Sequence, residues 1–138
     1  MPAVPRRRAD HRVLAESLDT VYRTFDHVDS ALDPVHLVRR YTSREDREIV
    51  GFCAAALAFG RVASVLQSVE ALLRVMGPHP AAFVRGFDPA VHGPALAPLV
   101  HRWIRGRDLV ALLIILQRML REHGSIEEIG RASCRERV

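Results

Sequence analysis

Arginine beside an aromatic ring recurs in this chain. Arg39, Arg40 and Tyr41 form one such cluster, and His101, Arg102 and Trp103 form another. Between them in sequence, Arg61 follows Gly60 at a turn joining two apolar segments. Guanidinium grips a phosphate bidentately, and backbone N–H groups at loops and helix N-termini help hold the anion. Arg39, Arg40, Gly60, Arg61, Arg102 and Trp103 are therefore the candidate nucleic-acid-binding residues. A second reading stands beside this one: the arginines pair with nearby Asp or Glu, and Tyr41 and Trp103 pack on the core.

Other chemistry finds little footing. Cys53 sits in an apolar run, as expected of a buried, inert thiol rather than a nucleophile. Cys53 and Cys134 form no C-x-x-C pair, so neither a disulfide framework nor a zinc site is indicated. The histidines (His11, His27, His36, His79, His92, His101 and His123) include no i, i+4 pair, and no metal site is expected. Glu45, Asp46 and Glu48 crowd a helix start, where capping and the helix dipole account for them. No Ser-His-Asp order, Walker loop or GxGxxG is present, so no catalytic residue is assigned and no small-molecule cofactor is expected.

The elements that would position these residues read as helices. "DHRVLAESLDTVYRTF" sets Leu14, Leu18, Val21, Tyr22 and Phe25 on one face. Asp33-Pro34 breaks the chain before a short "VHLVRRY" segment. Ser43 then reads as the N-cap of a helix, apolar almost all round from Ile49 to Phe59, of the kind that sits at the centre of a bundle. Gly60 is a backbone device for a tight turn or close approach. Next comes a stripe of Val62, Val65, Leu66, Val69, Leu72, Leu73 and Met76, stopped by Gly77-Pro78. "PAAFVRGF" reads as a short helix, residues 88–94 as a loop, and "PALAPLVHRWIRG" and "RDLVALLIILQRMLREHG" as two further helices, the last closed by Gly124. The class is all-α, with six or seven helical pieces and no sustained β alternation.

Composition narrows the partners. At 138 residues, with 49% hydrophobic and 26% charged residues, the chain is the size of one globular domain. All 20 basic residues are arginine, a pattern that fits codon bias in a GC-rich genome. The net charge is +4, and without the last ten residues, which hold Arg131, Arg135 and Arg137 against Glu136, it is +2. Such a balance permits a nucleic-acid partner without demanding one. Residues 1–10 read as a polar N-terminal arm with no apolar region behind it, so it is no secretory signal. The charge-free run over residues 49–60 is too short to span a bilayer, and a reduced, cytoplasmic protein without a membrane partner is the expectation.

One family shares several of these stretches in order. "RRYTSREDREIVGFCAAALAFGRVASVLQSVEALLRVMGPHPAAFVRGFDP", "HRWIRGRDLVALL" and "EHGSIEE" make residues 14–128 resemble the bacterial domain-of-unknown-function 2400 family. That family in turn resembles a distant branch of the helix-hairpin-helix DNA glycosylases, the superfamily of endonuclease III. The resemblance implies a helical bundle subdomain of a glycosylase-like fold, with "IVGFCAAALAFGRV" matching the first core helices, whose following turn faces DNA. It places Gly60 and Arg61 near the nucleic acid, with Arg40 and Arg102 as neighbours. It also implies a parent protein that extrudes a base and attacks the glycosidic carbon with an Asp. The Leu-Asp-Thr-His-like motif that would supply this Asp, the superfamily's glutamine near the turn and a Gly-rich hairpin are all missing here. An iron–sulfur cluster, if the parent carries one, lies outside these residues. The expected function is thus a catalytically silent fragment of a DNA-associated, repair-type protein. A non-catalytic binder of nucleic acid such as structured RNA, and a scaffold using the stripe from Val62 to Met76, are the alternatives.

The closing residues bear on that reading. Ser125 with Glu128 forms a capping-box pattern, yet Gly130 and an Arg-dense stretch follow. "IGRASCRERV", residues 129–138, is the in-frame translation of a common short-read sequencing adapter (ATC GGA AGA GCG TCG TGT AGG GAA AGA GTG). The expected organisation is therefore an arm over 1–10, a helical domain over 11–128 that continues in a longer protein, and read-through over 129–138. Sequencing the source locus across codon 128 should show the frame leaving these ten codons and entering an Asp-bearing half. The same codons followed by a stop would refute it.

Overall fold

The computed structural model describes residues 11–25 and 33–135, so the expected arm over 1–10 and the final residues 136–138 lie outside the described residues. The chain divides into two compact units, Met1–Ser30 and Ala31–Val138. Within the first, α1 (His11–Phe25) carries the expected stripe, and Leu14, Leu18, Val21 and Tyr22 are all exposed. α1 lies in the first of these units and the remaining helices in the second.

The second unit is helical, as the periodicity predicts, and its helix ends follow local chemistry. Asp33 Oδ1 accepts the Val35 N–H at 2.8 Å ahead of α2 (Val35–Arg39). Ser43 caps α3 (Arg44–Ala56) by accepting from the Asp46 N–H. The stripe of α4 (Val62–Met76) ends at Gly77, whose φ of 74° and N–H bond to the Leu73 carbonyl at 2.9 Å close the helix. A short α5 (Pro80–Arg85) follows. The long α7 (Gly106–His123) is closed in the same way by Gly124, and Ser125 accepts from the Glu128 N–H at the start of α8 (Ile126–Arg135).

Two expectations are overturned. Residues 88–94 are not a loop: Asp88 accepts the Ala90 N–H at 2.8 Å and Pro89 takes the first helical position of α6 (Pro89–Leu96). An Asp-Pro pair read as a breaker is here a helix start, because Pro needs no N–H partner at that position. Residues 94–106 are not one helix either. After α6, Val100–His101 (β1) pairs antiparallel with Ile104–Arg105 (β2), joined by the two-residue turn Arg102-Trp103. Arg102 takes a φ of 54°, the left-handed region that tight hairpin turns require at that position.

One apolar core fills the unit. α3 contributes Ile49, Val50, Cys53, Ala54 and Leu57, and α4 contributes Val65, Val69, Leu72, Leu73 and Met76. Leu109, Leu113, Leu116 and Leu120 bring one face of α7 to the same cluster. Each fully buried Leu or Ile contributes on the order of 1.5–3 kcal/mol. The α4 stripe that a protein scaffold would present is therefore used internally, with only Val62 well exposed. Burial pushes the Cys53 thiol up to about 12, so it stays protonated and inert, as expected.

The acids at the start of α3 do more than complement their own helix. Buried Asp46 accepts the Ala81 N–H of α5 at 2.8 Å, and Glu48 accepts the Ile126 N–H of α8 at 2.9 Å. Glu45 pairs with Arg85 at 2.7 Å, and that hydrogen bond, then the charge, holds its carboxyl below the ordinary value. This tie is present above the normal carboxylate range and weakens as acid protonates Glu45.

Gly106 marks the closest backbone approach. A Cβ there would stand 2.3 Å from the Leu96 carbonyl oxygen and 2.6 Å from the Ala97 Cα, both backbone atoms that cannot swing away. Gly106→Ala should cost about 1–3 kcal/mol or more and lower Tm by several degrees in a thermal melt. Gly93→Ala, whose Cβ would make only an ordinary 3.9 Å contact with Val110, should leave Tm unchanged or slightly raised.

Candidate nucleic-acid interface

α3 unwinds at Leu57, and the Phe59 N–H turns back to the Leu57 carbonyl at 2.8 Å. Gly60 then takes a φ of 104°, and Arg61 enters α4 as an extended N-cap whose side chain makes no cap hydrogen bond. Residues with a Cβ rarely adopt the Gly60 conformation. The hairpin adds a second demand: a Cβ on Gly60 would lie 3.2 Å from Arg102 Nη1 and 3.3 Å from Arg102 Cδ. Glycine here serves both the turn and the arginine laid over it.

His101 fastens the hairpin to this turn. Its ring is 4% exposed. Nε2 lies 3.1 Å from the Phe59 carbonyl oxygen and Nδ1 lies 2.9 Å from Ser68 Oγ on α4. A carbonyl only accepts, so Nε2 carries the proton; in the neutral ring Nδ1 then accepts from the Ser68 hydroxyl. The imidazole also meets the Phe59 ring edge-on at 4.7 Å. Trp103 in the turn stacks on the same Phe59 ring at 4.6 Å with an interplanar angle of 13°, and the Arg102 guanidinium sits 5.4 Å from the indole centroid. Trp103 is nonetheless 67% exposed.

Four of the six sequence-derived candidates thus meet at one place. Gly60, Arg102 and Trp103 are in contact or close approach, and Arg61 adjoins them through the chain. Among the described residues neither Arg61 nor Arg102 pairs with an acid. Arg105, next in the hairpin, bonds through Nη1 to the Arg102 carbonyl at 3.2 Å. Arg40 goes elsewhere: it is bound to Glu70 of α4 at 2.5 Å, and Arg39 stays with it at the end of α2. Tyr41 packs against the core, and its hydroxyl pKa is raised mainly by burial. The first cluster therefore follows the pairing-and-packing alternative at Arg40 and Tyr41, while the second is held at the surface.

Phe59, Ser68 and the anchoring role of His101 escape the sequence reading. Each strand is only two residues long, and Arg-Trp lacks the Asn-Gly type of signal that marks a two-residue hairpin. The available clue was a histidine directly after Leu99 and Val100, on a segment already broken by Pro98.

Residues 33–137 match the model of the family described as "Protein of unknown function (DUF2400)". The chain belongs to that family. The match takes in α2 to α8 and the hairpin, so every element of this site lies inside the DUF2400 region. No curated protein and no solved structure matches the chain. Among the described residues no group of three or more His, Cys, Asp or Glu is placed to hold a metal, and no helix is long and apolar enough to cross a membrane.

Removing the anchor should free the DUF2400 hairpin. His101→Ala leaves the Phe59 carbonyl without its donor and opens a hole behind Trp103, at a cost of about 1–3 kcal/mol. Trp103 is the chain's single tryptophan, so its steady-state fluorescence anisotropy should fall in the folded variant. Unchanged anisotropy would show that stacking on Phe59 alone holds the tip.

Proposed function

We propose that this DUF2400 chain is the helical part of a DNA-associated protein and that it meets nucleic acid at the Gly60 turn and the hairpin tip. The observation that carries the reading is the convergence of Arg61 and Arg102, without acidic partners, beside an exposed tryptophan and the start of α4. Two guanidiniums supply phosphate contacts, and the first N–H groups of a 15-residue helix add positive potential in the same direction. The Trp103 indole offers a surface on which a sugar or an unpaired base can rest. Several other arginines on the described surface, among them Arg40, Arg44, Arg85 and Arg118, are engaged with Glu.

Glycosylase-like chemistry in a longer parent rests on the resemblance to the helix-hairpin-helix superfamily. The motif that the resemblance expects to bring the attacking Asp is missing from this sequence, so no residue here is assigned the reacting role. The same surface would serve a non-catalytic nucleic-acid binder, and the balance between duplex DNA, single strands and RNA separates the two.

Anisotropy of a labelled 20-base-pair duplex, titrated from low to physiological salt, tests the surface. Arg61→Ala and Arg102→Ala should each weaken binding and reduce the log–log salt slope by about one, the value for one lost phosphate contact. Trp103→Ala should leave the slope in place and weaken single-stranded binding by about 1–3 kcal/mol. Arg118→Ala, whose partner is Glu122, is the control. Slopes unchanged in both arginine variants would remove this surface from consideration.

A further inference from the structure

A cavity of about 300 Å³ lies between α4 and the strand that leads into the hairpin, lined in part by Leu57, Ser68, Ala71, Leu99, His101 and Leu109. We infer that this cavity is a binding site for a small, neutral ligand with a flat apolar body and one hydrogen-bond donor. The inference does not rest on nucleic-acid binding, because the cavity lies behind His101 rather than at the arginines.

The ligand class follows from the walls. No Asp, Glu or Arg lines the cavity and the remaining polar side chain, Gln67, is uncharged and exposed to solvent, so an ion would lose hydration without gaining a counter-charge. Leu57, Ala71, Leu99 and Leu109 provide apolar surface, and the volume stands at the small end of the range for ligand sites, enough for one ring or a fused pair.

The polar wall has a fixed sense. In the neutral ring the Phe59 carbonyl accepts from His101 Nε2–H, His101 Nδ1 accepts from the Ser68 hydroxyl, and the only proton Ser68 owns is thereby committed. A helical serine ordinarily turns its hydroxyl back to its own helix, but this one reaches across to the hairpin. Among the described residues nothing donates to Ser68 Oγ, so its lone pairs remain open at the cavity wall. The two bonds behind it polarise one another in the same direction and strengthen that oxygen as an acceptor. A ligand N–H or O–H completes the chain; a ligand with acceptors alone does not.

Indole and 1-methylindole test this as a pair, since they share a ring system and differ in the donor. Binding to the intact chain is measured by calorimetry and saturation-transfer NMR in the absence of nucleic acid. Indole should bind about tenfold more tightly than 1-methylindole, the effect of one hydrogen bond. Ser68→Ala should erase that preference while keeping the weaker affinity for both compounds. Ala71→Leu, which fills the cavity, should abolish both, with circular dichroism used to verify its fold. Should Ala71→Leu fail to fold, the comparison in wild type and Ser68→Ala decides alone. Equal affinities in wild type, a preference that survives in Ser68→Ala, or no binding of either compound up to its solubility limit would overturn the inference.

Discussion

A single buried imidazole holds two otherwise independent pieces of this domain in register. His101 belongs to a two-residue strand, yet its two nitrogens reach the carbonyl that ends the α3 turn and a hydroxyl midway along α4. A strand pair this short has little stability of its own. The ring converts it into a fixed lip over the turn, and the rest follows: Trp103 can lie flat on Phe59, and Arg102 can cross Gly60. A buried polar ring is costly unless both nitrogens are satisfied, which is why this arrangement specifies one geometry rather than several.

The arrangement of charge sorts the arginines by role. Arg40, Arg44, Arg85, Arg118 and Arg131 all face glutamates, and most of these pairs are well exposed. Such pairs add little to stability individually. Their effect is to cancel positive charge where they lie, whereas among the described residues Arg61 and Arg102 face no acid at the turn and hairpin. A net charge of only +4 is compatible with a locally strong positive site for this reason.

How much could be read from residues alone depends on the range of the interaction involved. Ser43, Gly77 and Gly124 act on atoms within a turn of themselves, and their roles as helix boundaries are plain in the sequence. The heptad-like spacing of Leu109, Leu113, Leu116 and Leu120 is equally local. Asp46 and Glu48 are different, because their partners Ala81 and Ile126 lie 35 and 78 residues away. The hairpin was hidden for a related reason: its strands are too short for a period, and what breaks the helix is a tertiary bond to His101. Asp88-Pro89 was misread because the same dipeptide can end one element or begin the next. In the candidate site, Arg61 and Arg102 were visible as chemistry, while Arg40 was separated from them by Glu70, a partner that residue type alone does not reveal.

The close approach of Gly106 to Leu96 and Ala97 has a bearing on how this domain can vary. The two ends of the segment that carries the hairpin are pinned against each other by backbone, so the excursion between them is a closed Ω-like loop rather than a link between distant helices. A loop with fixed ends can change its tip without moving the helices that launch and receive it. Positions 102 and 103 form the tip of that excursion, carried on a stem whose two ends the backbone contact holds together.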